Sequence, residues 1–214
     1  MLVDTGLGPR RRPGFPPGKL DAALKAAGVK PGDISQVIHT HLHIDHTGWN
    51  TIEGKNGKPE FFFTKAKHLI QQVEWDYWMQ PKFVDDPAHP HLADTVAPLT
   101  NSGRITFVHG EQAIDENLVF VSSPGHTPGH VCVGIQSAGE KGIIIGDASH
   151  HPAQLDHPDW SPGFDADPTV SAKTRDRLFE DAIKGKTRWL AGHWPYPGIG
   201  QIRRVKGKRV FRAL

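Results

Sequence analysis

The segment His39-Thr40-His41-Leu42-His43-Ile44-Asp45-His46-Thr47-Gly48 constrains this chain more than any other. It sets three imidazoles and a carboxylate into six positions, directly after an apolar, strand-like run. Imidazole and carboxylate are the ligand types that hold zinc, iron or manganese. The alternation His41-x-His43-x-Asp45, followed at once by His46, lets one tight loop offer ligands in two directions. That suits two metals better than one. A merely solvated His-rich loop has no reason to carry so regular a spacing beside an Asp.

Distant ligands must complete such a site, and three segments downstream offer them. Ser123-Pro124-Gly125-His126-Thr127-Pro128-Gly129-His130 places a His in a Pro/Gly turn between the apolar runs 118–121 and 131–135, so His126 is the candidate third ligand. Ile143-Ile144-Ile145-Gly146-Asp147 reads as a buried strand ending on a carboxylate whose two oxygens could bridge two cations. Trp189-Leu190-Ala191-Gly192-His193 repeats the pattern of an apolar run ending on His, and His193 completes the set. His130 begins the next strand and is assigned to packing or to hydrogen bonding behind the ligands.

The ordered set HxHxDH, SPGHTPGH, strand-terminal GD and strand-terminal GH resembles the metallo-β-lactamase superfamily of dinuclear metal hydrolases, over nearly the whole chain. The resemblance implies that His41, His43 and His126 hold one ion, that Asp45, His46 and His193 hold the other, and that Asp147 bridges them. It further implies two divalent ions, zinc in the first instance, in a four-layer αββα sandwich.

At 214 residues the chain suffices for a single domain spanning 1–214, with the mixed composition of a globular protein. A net charge of +2 with neutral histidines does not suggest a nucleic-acid surface. The basic run 203–209 reads as a terminal hairpin with a solvated face. The lone Cys132 lies in an apolar strand pattern, so no disulfide framework is expected and a reducing compartment is compatible. No apolar run approaches a membrane span and no signal-peptide layout is visible, so the expected location is cytoplasmic.

Coarsely, the pattern is α/β with antiparallel hairpins. Strands are predicted at Leu2-Val3, 36–38, 61–63, 105–108, 118–121, 131–135 and 143–145; helices are predicted over 19–27, 65–77 and 171–183. Members of the resembled family usually place two or more strands before an Asp-Thr-Gly turn, whereas here Val3-Asp4-Thr5-Gly6 stands next to Met1. The N-terminus therefore looks truncated, which predicts an open sheet edge, low solubility or self-association as a homodimer, unless the 205–211 hairpin or the Pro-rich segment 10–17 covers it.

The expected reaction is hydrolysis, in which a hydroxide shared by two cations attacks an ester, lactone or phosphotriester bearing an apolar portion. Asp45 and Asp147 are the catalytic carboxylates. Asp45 has two roles open to it, as ligand first and as proton shuttle to the leaving group. His46 and the short spacings between later motifs turn the resemblance toward quorum-quenching lactonases and methyl parathion hydrolase-like enzymes. The alternatives are hydrolysis of a β-lactam, a glyoxalase II-like thioester hydrolysis, a mononuclear iron dioxygenase, or an inactive metal-binding protein. Trp75, Trp78, His150 and Tyr196 are candidate pocket residues, although Trp75 and Trp78 share a helix face and could equally serve packing. His150 and His151 follow Asp147 closely and lie either behind the metals or on the surface.

Overall fold

Apolar runs too short for helices supply most of the framework, and the run that feeds the histidine loop becomes an inner strand of a parallel sheet. The computed structural model describes residues 1–12, 14 and 16–214, and the chain divides into two units, Met1–Val108 and His109–Leu214. Positions 13 and 15 of the Pro-rich segment lie outside the described residues.

The first unit runs β1 (Leu2–Val3), α1 (Leu20–Ala26), β2 (Gln36–Ile38), α2 (Ile44–Thr47), β3 (Thr51–Glu53), β4 (Pro59–Phe61), β5 (Lys67–Gln71), α3 (Gln72–Trp78), α4 (Pro81–Val84) and β6 (Ile105–Val108). Its main sheet has the order β1-β2-β5-β6 and is parallel throughout, with Val37 opposite His68 and Ile38 opposite Leu69. A small antiparallel pair, β3 with β4, stands beside it.

Two sequence expectations are corrected here. The helix predicted over 65–77 is a strand followed by a short helix, and the strand predicted at 61–63 ends at Phe61. The reason is burial on both faces: His68, Leu69, Ile70 and Gln71 are all buried, polar and apolar alike, so β5 is an inner parallel strand with no alternation of apolar and polar residues to mark it as one. Trp78, Leu42, Ile70, Leu92, Val96 and Leu99 form one core cluster, and Leu24, Val37, Trp49 and Phe63 anchor a second.

The second unit runs β7 (Leu118–Ser122), β8 (Val131–Ser137), β9 (Glu140–Ile144), α5 (Pro168–Gly185), β10 (Arg188–Leu190), β11 (Ile199–Val205) and β12 (Lys208–Ala213). Its sheet has the order β12-β11-β10-β9-β8-β7. β9 and β10 pair in parallel, and α5 is the crossover between them. Hairpins join β8 to β9 and β11 to β12, the second being the terminal hairpin expected from the basic run. Ala138-Gly139 and Lys206-Gly207 all take positive φ, the geometry of two-residue turns that follow the twist of the flanking strands.

α5 begins earlier than the predicted 171–183. Asp167 caps it by accepting the Val170 N–H at 2.9 Å, and Pro168 occupies the first turn, where its missing N–H costs nothing. Leu178, Phe179 and Ala182 on its buried face join Ile143, Ile145, Trp189 and Ile202 in one core. Among the described residues, no helix is long and apolar enough to cross a membrane.

Candidate metal-ligand clusters

In the first unit the ligand loop leaves the C-terminal end of β2 and turns through α2. The Asp-Thr-Gly turn packs directly on it: Thr5 N–H donates to His46 O and Gly48 N–H to Gly6 O. Gly48 permits that approach, since a Cβ there would lie 2.1 Å from the Leu7 carbonyl carbon. Asp4 takes φ +56°, a left-handed conformation that Asp tolerates, and its carboxylate faces the loop. Oδ1 accepts the Thr40 N–H (2.8 Å), while Oδ2 accepts both the Thr40 hydroxyl (2.7 Å) and His46 Nδ1–H (2.8 Å).

Because the Thr40 proton goes to Asp4, Thr40 Oγ1 accepts from His41 Nδ1–H at 3.0 Å. Both His41 and His46 are thus held through Nδ1, which leaves Nε2 as the lone-pair atom. His41 Nε2 lies 3.0 Å from His43 Nδ1, and His46 Nε2 lies 3.6 Å from Asp45 Oδ2. Backbone groups steady the loop from behind: the Leu42 N–H donates to Glu74 Oε1, which also accepts Trp78 Nε1–H, and His91 Nε2–H donates to Leu42 O.

In the second unit Asp147 stands just past β9, and three imidazoles converge on it. Nε2 of His126, His193 and His150 lie 3.3, 3.3 and 3.2 Å from Asp147 Oδ2. His126 Nδ1–H donates to Asp165 Oδ1 at 2.8 Å, again fixing one ring nitrogen with a carboxylate. Burial works against the cationic ring of His126, but the hydrogen bonds and charges of Asp147 and Asp165 outweigh it, and its pKa is raised. Gly125 turns the chain at φ +130°, where a Cβ would meet Ser171 N at 2.3 Å. His130 is committed to the protein as expected for a packing residue: Nδ1 lies at Ser123, and Nε2 accepts the Asp147 N–H at 3.0 Å.

Each unit therefore gathers its own share of the sequence-derived ligands, with the paired donor atoms of each share within 4.8 Å of each other. Imidazole nitrogens held by carboxylates from behind and carboxylate oxygens in front are a donor set that fits zinc.

The pocket candidates divide. His150 reaches Asp147 and stacks on His193, with ring centroids 5.2 Å apart. His151 instead caps a short 3-10 turn by accepting the Ala153 N–H. Trp78 is a core residue whose ring lies 5.1 Å from His43, Trp75 is half-buried against Phe107, and Tyr196 is 99% exposed. Sequence reasoning missed Asp4, Asp165 and Phe164, whose exposed ring meets His126 and His150 edge-on at 5.8 and 5.3 Å. The Asp-Thr-Gly turn was a visible signal for Asp4. Nothing in the local pattern singles out Asp165.

The chain matches the metallo-beta-lactamase superfamily over residues 1–193, and it belongs to that superfamily. It is 27% identical over 183 residues to the N-acyl homoserine lactonase AttM of Rhizobium radiobacter, covering 80% of this chain and 62% of that protein. It is 25% identical over 190 residues to the N-acyl homoserine lactonase AiiA of Bacillus thuringiensis subsp. kurstaki, covering 88% and 64%. The chain thus spans less than two thirds of the length of these relatives. Among solved structures, the hydrolase AbOPH of the beta lactamase superfamily aligns at TM-score 0.85 and 26% identity, covering all of this chain and 75% of that one. AidC, a dizinc quorum-quenching lactonase solved with a product, aligns at TM-score 0.81 and 26% identity, with the same coverage. The fold is accordingly the metallo-β-lactamase sandwich of mixed α and β structure.

Proposed function

We propose that the chain carries a dinuclear zinc site of a hydrolase acting on a small lactone or ester with an apolar arm, N-acyl homoserine lactones being the first substrates to test. The first unit would supply His41, His43, Asp45 and His46 as metal donors, and the second His126, Asp147 and His193. The observation that carries this reading is the convergence of three imidazole Nε2 atoms on Asp147 Oδ2. The names of the relatives supply the substrate class.

Two bound divalent ions would supply an activated water at neutral pH and polarise the scissile carbonyl. The chain's own residues do the positioning. Asp4 and Thr40 hold the His46 and His41 rings, and Asp165 holds His126, so little ordering remains to be done when metal arrives. Asp45, the less buried carboxylate of the set, serves as a ligand and is also placed to carry a proton to the leaving group. Phe164 presents an apolar face beside His126 and His150 for the substrate's acyl portion.

Metal analysis of protein purified without added metal is expected to give about two equivalents of zinc. A panel of acyl-homoserine lactones, p-nitrophenyl esters, paraoxon-type triesters, nitrocefin and lactoylglutathione should be led by the homoserine lactones. Nitrocefin as the best substrate would overturn the substrate assignment. Near one equivalent of iron with oxygen consumption would replace hydrolysis by dioxygenase chemistry.

A further inference from the structure

Arg175, on α5, is fully buried with no exposed side-chain surface. A guanidinium has five N–H donors, and here they meet five acceptors. Nε–H donates to Ala148 O at 2.8 Å, one terminal nitrogen to the carbonyls of Pro158 (2.5 Å) and Trp160 (3.3 Å), and the other to Ser171 Oγ (2.9 Å) and Asp165 Oδ2 (3.3 Å). The second oxygen of Asp165 accepts His126 Nδ1–H. The Ala148 carbonyl belongs to the residue after Asp147, and the Pro158 and Trp160 carbonyls belong to the loop that leads to Phe164.

Stability does not explain this arrangement. Removing a cation and a carboxylate from water costs several kcal/mol for each ion, and well-packed apolar residues often serve a core equally well. What the pair does supply is a fixed orientation, because a planar fork with every donor engaged is itself held in place, and it meets one oxygen of Asp165 while the other oxygen takes His126 Nδ1–H. We propose that Arg175 is a positioning residue for the metal centre: through Asp165 it orients the His126 imidazole, and through three carbonyls it ties the Asp147 corner and the aromatic loop to the same point on α5. This rests on the zinc reading above and adds to it a residue that touches no metal.

The test uses the full chain, with zinc affinity measured by competition with a chromophoric chelator and ligand geometry read from the absorption spectrum of the cobalt-substituted protein. Arg175→Lys keeps the charge and loses the fork. It is expected to weaken zinc binding about 10- to 100-fold and to change the cobalt spectrum while still melting cooperatively. Arg175→Gln, which loses the charge and three of the five donors, should weaken zinc binding at least as much. In an Asp165→Asn background, Arg175→Lys should cost less further affinity than it costs alone, since part of its effect runs through that carboxylate. Parental affinity and spectrum in Arg175→Lys, or independent losses in the double variant, would overturn the proposal while leaving the zinc reading intact. Failure of both Arg175 variants to fold would also overturn it, because the side chain would then hold the fold rather than the ligand. A parent chain that takes up no zinc would overturn both readings together.

Discussion

His126 and His68 are both withdrawn from water, yet their surroundings push them in opposite directions. His126 sits between Asp147 and Asp165, and its pKa is raised despite burial. His68 packs against His39 inside the parallel sheet of the first unit, with His68 Nδ1 3.0 Å from His39 Nε2. Burial, assisted by the positive charge of Arg104, lowers its pKa to about 4. His91 behaves likewise: burial outweighs its hydrogen bond to Leu42 O and brings it to about 4. The second unit thus places carboxylates against His126, which orients the ring and enriches its electrons, while the first unit also uses histidines as neutral polar parts of a core. Residue type alone does not separate the two uses. The partner does.

The largest expected consequence concerns acid. Above pH 6.5, His68 and His91 are neutral both folded and unfolded, so they leave stability unchanged. As pH falls below that value the unfolded chain binds protons that the folded chain refuses until about pH 4. Stability is therefore lost between pH 6.5 and 4, by about 3 kcal/mol for each group. Denaturant midpoints measured at pH 7, 5.5 and 4.5 should fall steadily, and a flat profile would erase the contrast.

Next in size is Asp147→Ala, which removes the oxygen on which three imidazoles converge. Zinc occupancy and turnover should fall together, by more than about 100-fold in affinity, or about 2.7 kcal/mol. Retained occupancy by metal analysis would move the centre of the site elsewhere.

Asp4→Asn sharpens the comparison within the first unit. Asn also tolerates positive φ, so the turn should persist, but the amide nitrogen cannot accept from both His46 and Thr40. Zinc affinity is expected to drop about 10- to 100-fold with little loss of thermal stability. An equal loss of stability in the metal-free protein would make Asp4 a residue of the fold alone.

The smallest effect is one of inertness. Cys132 is fully buried and its thiol is pushed up to about 12, its hydrogen bond to Ser123 notwithstanding. A disulfide reagent at pH 8 should leave the folded protein unmodified and react once it is unfolded.

The candidate donors and their order were legible in the sequence, because each stands at a strand end or in a Pro/Gly turn and those signals are local. So were both hairpins, whose turn residues take the positive φ the geometry needs. The 65–77 segment was not legible, since β5 is buried on both faces and carries no alternation of apolar and polar residues that would mark it as a strand. Nor were the partners behind the ligands. Asp4 meets His46, and Asp165 meets His126, across separations that follow no helical or strand period, and Arg175 binds carbonyls that any residue type could supply. A sequence can name the atoms able to bind a metal. Which nitrogen each ring has left to offer is set by hydrogen bonds between distant segments, and only the tertiary structure decides those.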